Sequence, residues 1–347
     1  MSVDHARAPR LEPADAAALH TYADAGVDID AGEHAVRLMR QAVEASRTAQ
    51  VVSRLGAFGA AVRSPGSHML LVSSTDGVGS KVCLVASDEE AAGIGRDLVH
   101  HCIDDILTCG AAPLFFLDYL AFARLDPPRA AAIVAGMAAA GAAHGCALVG
   151  GETAELPDLY REHAFDVAGC IVGTVAEDRF LDGSRIMPGD TLIGLPSAGL
   201  HTNGYTLARR LLADRLHEPC GAHTVRQALL AEHRCYLPAM APLLERGLVH
   251  GLAHITGGGL PGNLPRMLPA GLAARLDPQS WSSLPIFDLL GGYGLSREEL
   301  FRTFNMGIGM VLACASSDAA PILATLQPAY AIGEVIEQGE EARVLGL

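Results

Sequence analysis

Two short apolar runs in the sequence end in glycine-bearing loops that carry an acid. In Val72-Ser73-Ser74-Thr75-Asp76-Gly77-Val78-Gly79-Ser80-Lys81, the two glycines let backbone approach a ligand closely. Asp76 offers an oxygen to a metal ion and Lys81 a cation to a phosphate. The Walker A spacing is absent, because Ser80 rather than Gly precedes Lys81. A tight turn with a surface Asp and Lys is the plainer alternative. In Leu148-Val149-Gly150-Gly151-Glu152-Thr153-Ala154-Glu155, an apolar run again leads through glycines to a carboxylate. Between these loops, Cys102-Ile103-Asp104-Asp105-Ile106-Leu107 sets two acids inside an apolar helical stretch, a costly arrangement if they are buried unpaired. Adjacent helix residues point about 100° apart, so only one of the pair readily faces a given site. The alternative is a solvated face for both. Convergence of the two loops and the helix at one end of a sheet would make a carboxylate cage for Mg²⁺ and nucleotide phosphates.

The second half repeats the pattern. Pro196-Ser197-Ala198-Gly199-Leu200-His201-Thr202-Asn203-Gly204-Tyr205 follows a strand and opens a helix whose free N–H groups suit an anion. His201 there is either a proton donor or acceptor, or a structural cap of that helix. Gly257, Gly259 and Gly262 fit a G-x-G-x-x-G spacing, with Asp277 twenty residues beyond Gly257. Pro261, Pro265 and Pro269 crowd the helix that a dinucleotide site needs, so that reading is rejected.

The elements that must hold these residues follow from periodicity. A first long helix is expected over Gly32–Leu55, a strand over Met69–Ser73, a helix over Asp97–Cys109 and a strand over Leu114–Phe122. Asp126-Pro127-Pro128 starts an alanine-rich helix, His144-Gly145 stops it, and Cys146–Val149 reads as a short buried strand. A strand over Phe165–Val175 completes the set. After the turn Pro188-Gly189-Asp190 come a strand over Thr191–Leu195 and helices over 202–213 and 236–247. Strands over Ala273–Leu276, Gly307–Cys314 and Ala329–Val335, and a helix over Asp318–Leu326, fill the rest. Strands and helices mix in both halves, which predicts an α/β (α+β) chain of two mixed-sheet domains joined near 175–190.

Composition narrows the partners. Lys and Arg number 25 against 39 Asp and Glu, a net charge of −14, which disfavours nucleic acid as a partner. Half the residues are hydrophobic and 18% charged, which excludes a disordered acidic chain. Mean hydropathy is +0.27, yet the longest apolar run, 130–151, is largely Ala and Gly and reads as helix, turn and strand rather than a membrane span. The first residues lack the apolar core of a signal peptide, and the expected location is the cytoplasm. None of the eight cysteines shows C-x-x-C or zinc-like spacing, and the several in apolar runs such as Ala168-Gly169-Cys170-Ile171-Val172 are expected to be small buried hydrophobes.

Taken in order, Tyr22–Gly32, Thr75–Lys81, Pro113–Tyr119, Gly150–Glu155, Thr256–Gly259 and Phe301-Arg302-Thr303-Phe304-Asn305 resemble the aminoimidazole ribonucleotide synthetase family, the phosphoribosylformylglycinamidine cyclo-ligases, over roughly 22–335. The resemblance implies ATP-dependent closure of the imidazole ring of formylglycinamidine ribonucleotide in purine synthesis, through an iminophosphate. It implies a homodimer that pairs through the sheets of its N-terminal domains. Residues 1–174 would bind ATP and metal and form the dimer, and 175–347 would complete the cleft. By position, Asp76, Asp105 and Glu152 would hold Mg²⁺, and Lys81 would contact phosphate. Gly77, Gly79 and Gly151 would line the nucleotide, and His201 would assist at the reacting amide. The 22–32 segment, with Gly26 and Gly32 as hinges, would close over substrate. The chain departs from the family in carrying Ser74 for Gly, Ser80 for Thr, Asp104 for Asn and Arg40 for Lys, and in a loose match over Glu232–Tyr236. Selenophosphate synthetase, which needs a reactive residue in its mobile N-terminal loop, is disfavoured because the first cysteine is Cys83. Thiamine-phosphate kinase lacks the 22–32 and 301–305 signatures. A silent nucleotide-binding regulator would have lost the Asp, Lys or Glu ligands.

Overall fold

The computed structural model describes residues 21–25, 29–30, 34, 49–54, 57–64, 68–340 and 342–347. Most of the helix expected over Gly32–Leu55, Arg40 included, and both proposed hinges, Gly26 and Gly32, lie outside the described residues. Residues 49–54 are turn and bridge rather than helix, with Val51 bridged to Val62.

The first half builds a five-stranded sheet from β1 (Ala60–Arg63), β2 (Met69–Gly77), β3 (Ala112–Phe122), β4 (Ala147–Glu155) and β5 (Phe165–Ala176), in the order β1-β2-β5-β3-β4. Only the β3–β4 pair is parallel. Helix α1 (Asp88–Leu107) joins β2 to β3, and α2 (Pro127–Ala143) makes the crossover that the parallel pair requires. Ser87 caps α1 by accepting the Glu90 N–H, and three acids fill its first turn, where the helix dipole favours them. Asp126 caps α2 ahead of its two prolines. The two helices cross backbone to backbone: a Cβ on Gly95 would lie 2.1 Å from Ile133 O, and one on Gly136 would lie 2.0 Å from Ala92 O. Ile94, Leu98, Ile103, Ile106, Ile133 and Met137 cover one face of the sheet. The opposite face carries the exposed side chains of Leu114, Leu117 and Tyr119.

The second half forms a six-stranded sheet from β6 (Thr191–Pro196), β9 (Gly251–His254), β10 (Leu272–Leu276), β11 (Ile308–Cys314), β12 (Tyr330–Glu337) and β13 (Val344–Leu345), ordered β13-β10-β12-β6-β11-β9. A two-residue hairpin supplies β7 (Pro219–Cys220) and β8 (His223–Thr224). Helices α3 (Tyr205–Leu211), α4 (Val225–Leu229), α5 (Leu237–Glu245), α6 (Gly259–Met267), α7 (Pro285–Gly291), α8 (Arg297–Thr303) and α9 (Ser316–Thr325) surround them. Every residue of β11 is buried, as its continuous apolar run requires of a strand covered on both faces. The chain is thus an α/β protein with two mixed sheets, as its alternating elements predict. Leu107, the last residue of α1, packs into the core of the second half, so this helix spans the junction.

Two expectations are corrected here. Residues 146–149 do not make a short buried strand: β4 runs on to Glu155 as a largely exposed edge, with Val149 60% exposed. The prolines after Gly257 do not prevent a helix, for α6 accommodates Pro261 and Pro265 over nine residues. The dinucleotide reading still fails, because β9 pairs with β11 antiparallel.

Candidate functional site

The site forms where α1 meets the loops of the second half. Along α1, Asp97, His101, Asp104 and Asp105 recur at spacings of three and four, which place them on one side of the helix. All four are buried. The adjacent acids point to different partners, as helix geometry demands, and neither sits on a solvated face. Asp105 accepts the Ser74 hydroxyl at 2.8 Å and meets His254 Nδ1 at 2.9 Å. Asp104 accepts the Tyr236 N–H at 2.8 Å, while its second oxygen has no hydrogen-bond partner and lies 3.7 Å from His233 Nδ1. Burial pushes the Asp104 carboxyl far up, toward the neutral acid. The extra negative charge expected of Asp104 is therefore muted. Asp104 and the loosely matching Glu232–Tyr236 segment, separate departures in the sequence, are one contact in the structure.

At the end of β2, Asp76 accepts the Gly77 N–H at 2.7 Å and pairs with His101 Nε2 at 2.8 Å, its side chain 47% exposed. His101 Nδ1 lies 2.8 Å from the Thr202 hydroxyl. Burial disfavours the His101 imidazolium, but Asp76, with help from Asp105, outweighs it and raises the pKa to about 9. Burial alone would raise Asp76; the neighbouring imidazolium holds it below the usual carboxylate range. Polar atoms of Asp76, His101 and Asp105 all lie within 4.8 Å of one another.

His201 is buried in a left-handed backbone conformation (φ 61°), and its Nε2 accepts the Ala198 N–H at 3.2 Å. It does not cap α3, whose N-cap is Gly204 with no side-chain bond. Its ring stacks on His233, with centroids 4.0 Å apart. Burial, reinforced by His254 and Lys81, holds it neutral. With Nε2 accepting, its proton sits on Nδ1, which is buried and has no partner.

Other candidates stand elsewhere. Lys81, expected at phosphate, is fully buried: its ammonium lies 2.6 Å from Asp97 and donates to Ala231 O at 2.7 Å. A charge so deep must be paired, and this pair fastens the 3-10 turn Gly79–Leu84 to the 231 segment. Gly79 takes the left-handed conformation, while the Gly77 N–H is spent on Asp76. Glu152 does not join Asp76 and Asp105 within one chain. Asp76, Gly169, Asp118 and Gly151 form one row across β2, β5, β3 and β4, and three strand spacings amount to about 14 Å. Glu152 is exposed and binds the adjacent Thr153 N–H. At Gly151 a Cβ would sit 2.2 Å from Asp118 Oδ1, so packing alone requires that glycine. His101 and His233 escape a reading by motif; the four-residue spacing Asp97, His101, Asp105 is the signal that points to the first.

The 22–32 and 301–305 stretches meet where Arg302 pairs with Asp30, and nearby the Tyr22 N–H donates to Glu299 Oε1 of the same helix at 2.6 Å. All eight cysteines are free thiols, and among the described residues no helix is long and apolar enough to cross a membrane.

Residues 58–175 match the family described as AIR synthase related protein, N-terminal domain, and residues 187–346 match the corresponding C-terminal domain. The phosphoribosylformylglycinamidine cyclo-ligase of Geobacillus thermodenitrificans is 45% identical over 335 residues, covering 91% of this chain and 95% of its own length. That of Thermosynechococcus vestitus is 44% identical, covering 86% and 90%. Among solved structures, the thiamine-monophosphate kinase of Stenotrophomonas maltophilia shares the fold at TM-score 0.61 and 20% identity, covering 90% of this chain and 96% of its own. The hydrogenase maturation protein HypE in complex with ATP does so at TM-score 0.60 and 22% identity, covering 81% and 80%.

Proposed function

The chain belongs to the phosphoribosylformylglycinamidine cyclo-ligase family, and from that premise we propose that it closes the imidazole ring of aminoimidazole ribonucleotide at the expense of ATP, in the cytoplasm. The observation that carries the site is the convergence of Asp76, His101 and Asp105 beside the loop of His201, at the junction of the two halves. An amide oxygen is a poor leaving group. Transfer of the γ-phosphoryl group to the formyl oxygen breaks the bond to ADP and forms an iminophosphate. The amidine nitrogen then attacks that carbon, its proton is lost, and phosphate leaves with the former amide oxygen. Positioning and charge neutralisation supply most of the catalysis in such transfers.

The donor set suits Mg²⁺, a hard ion that takes one or two carboxylates together with substrate phosphates. Asp76, open to solvent, would hold it, with Asp105 behind. When bound, the ion neutralises phosphate charge. The His101 imidazolium adds a fixed positive charge next to Asp76, and the unpartnered Nδ1–H of His201 is the donor assigned to the amide oxygen. Lys81 keeps a structural role in this reading.

The exposed apolar face of the first sheet, with Leu114, Leu117, Tyr119 and the edge residue Val149, supports a homodimer built through the sheets of residues 1–174. Residues 175–347 then complete the cleft. Glu152, distant from Asp76 in its own chain, would join the site only from a second copy. Supplying the purified protein with ATP, Mg²⁺ and formylglycinamidine ribonucleotide should yield aminoimidazole ribonucleotide and ADP in equal amounts. ATP binding without turnover would instead favour a silent regulator.

A further inference from the structure

Behind Asp76, the fold gathers three imidazoles from distant parts of the chain: His101 of α1, His233 of the segment preceding α5, and His254 at the end of β9. All three are buried, and their ring centroids lie 4.8 to 5.3 Å apart. One nitrogen from each lies within 4.8 Å of the other two.

The hydrogen bonds of these rings fix which nitrogens are bare. His254 directs Nδ1 at the Asp105 carboxylate, which only accepts, so the proton is on Nδ1 and Nε2 keeps its lone pair. His233 directs Nδ1 at the carbonyl of Arg234 at 3.1 Å, with the same consequence. Both Nε2 atoms are buried without a hydrogen-bond partner. A bare buried acceptor is costly, and two of them in one histidine cluster call for a shared electrophile. An imidazole whose far nitrogen is held by a carboxylate or carbonyl is the usual arrangement around a bound metal, where the outer contact sets tautomer and ring orientation.

We propose that His101, His233 and His254 form a binding site for a divalent transition metal of the zinc type, separate from any Mg²⁺ that accompanies nucleotide. Imidazole suits Zn²⁺ and Co²⁺, whereas Mg²⁺ prefers oxygen. Zn–N bonds of about 2.0–2.1 Å set the nitrogens of a tetrahedral site roughly 3.4 Å apart, so the rings draw together modestly on binding. His101, an imidazolium while paired with Asp76, releases one proton as the metal binds, exchanging one of its two contacts, with Asp76 or Thr202, for the ion and keeping the other as its outer hydrogen bond. The ion would enter past Asp76, the half-exposed carboxylate that bonds His101 from the solvent side. None of this depends on the cyclo-ligase reading.

The test is a titration of the chelator-treated full chain with Co²⁺, followed by visible absorption. One equivalent should produce the intense bands of low-coordinate Co²⁺, which Zn²⁺ abolishes and excess Mg²⁺ leaves unchanged. His233→Gln and His254→Gln should each weaken binding by more than the roughly 10- to 100-fold that loss of an outer contact costs. Histidine ring ¹⁵N spectra of the unaltered protein provide a readout independent of variant folding: Zn²⁺ should shift three histidines together. Absence of the bands, unchanged affinity in both variants, or ¹⁵N shifts confined to exposed histidines would overturn the proposal.

Discussion

Asp76 and His101 set the charge of the site between them, and this pair makes stability depend on pH. His101 has a folded-state pKa of about 9 against about 6.5 for a free histidine. Its contribution is therefore complete below pH ~6.5 and is lost as pH rises through about 9, on the order of 3 kcal/mol in all. Denaturant midpoints should fall between pH 7 and 10 in the native chain and stay flatter in His101→Gln; parallel profiles would contradict the pairing. Asp105→Asn nearly preserves shape but removes the charge facing His254 and Ser74. We expect kcat to drop roughly 10- to 100-fold with the fold retained, and full activity with Mg²⁺ would remove Asp105 from the metal role. Asp76, Asp105 and His201 were legible because each interrupts an apolar run or follows a glycine turn. His233 was not, since only the packing of α1 against a segment more than a hundred residues away gives it meaning. The burial of Lys81 was hidden for the same reason: its partner Asp97 lies on the next helix.

Most elements that carry the site differ from expectation in extent, whereas α6, a helix that the prolines were read as excluding, differs in kind. The expected helix over Asp97–Cys109 covers only the apolar end of α1. Its start is polar, yet Ser87 with Glu90 three residues on is a readable N-terminal signal. Strand β4 was misjudged as buried because its Leu148-Val149 pair is apolar, while its position as a sheet edge is a tertiary fact. The close α1–α2 crossing fixes α1, the helix that carries His101 and Asp105. Gly136→Ala would force a Cβ to within 2.0 Å of Ala92 O. We expect a cost of roughly 1–3 kcal/mol, a fall in Tm of several degrees, and reduced kcat from displaced α1 residues. An unchanged melting curve would show that the helices separate freely.

At the scale of the whole molecule, the α/β character and the two mixed sheets followed from alternating strands and helices. Leu117→Asp places a charge on the open face of the first sheet, away from Asp76. Light scattering should find a monomer, with activity lost in parallel because Glu152 no longer reaches a neighbouring site; an active monomer would refute the shared site. The central claim, ring closure through phosphorylation of the amide oxygen, is tested most directly with formylglycinamidine ribonucleotide labelled with ¹⁸O at the formyl group. Incubation with ATP and Mg²⁺ should give one ¹⁸O-bearing phosphate for each aminoimidazole ribonucleotide formed. Imidazole product accompanied by unlabelled phosphate, or ATP hydrolysis with no ring closure, would contradict it.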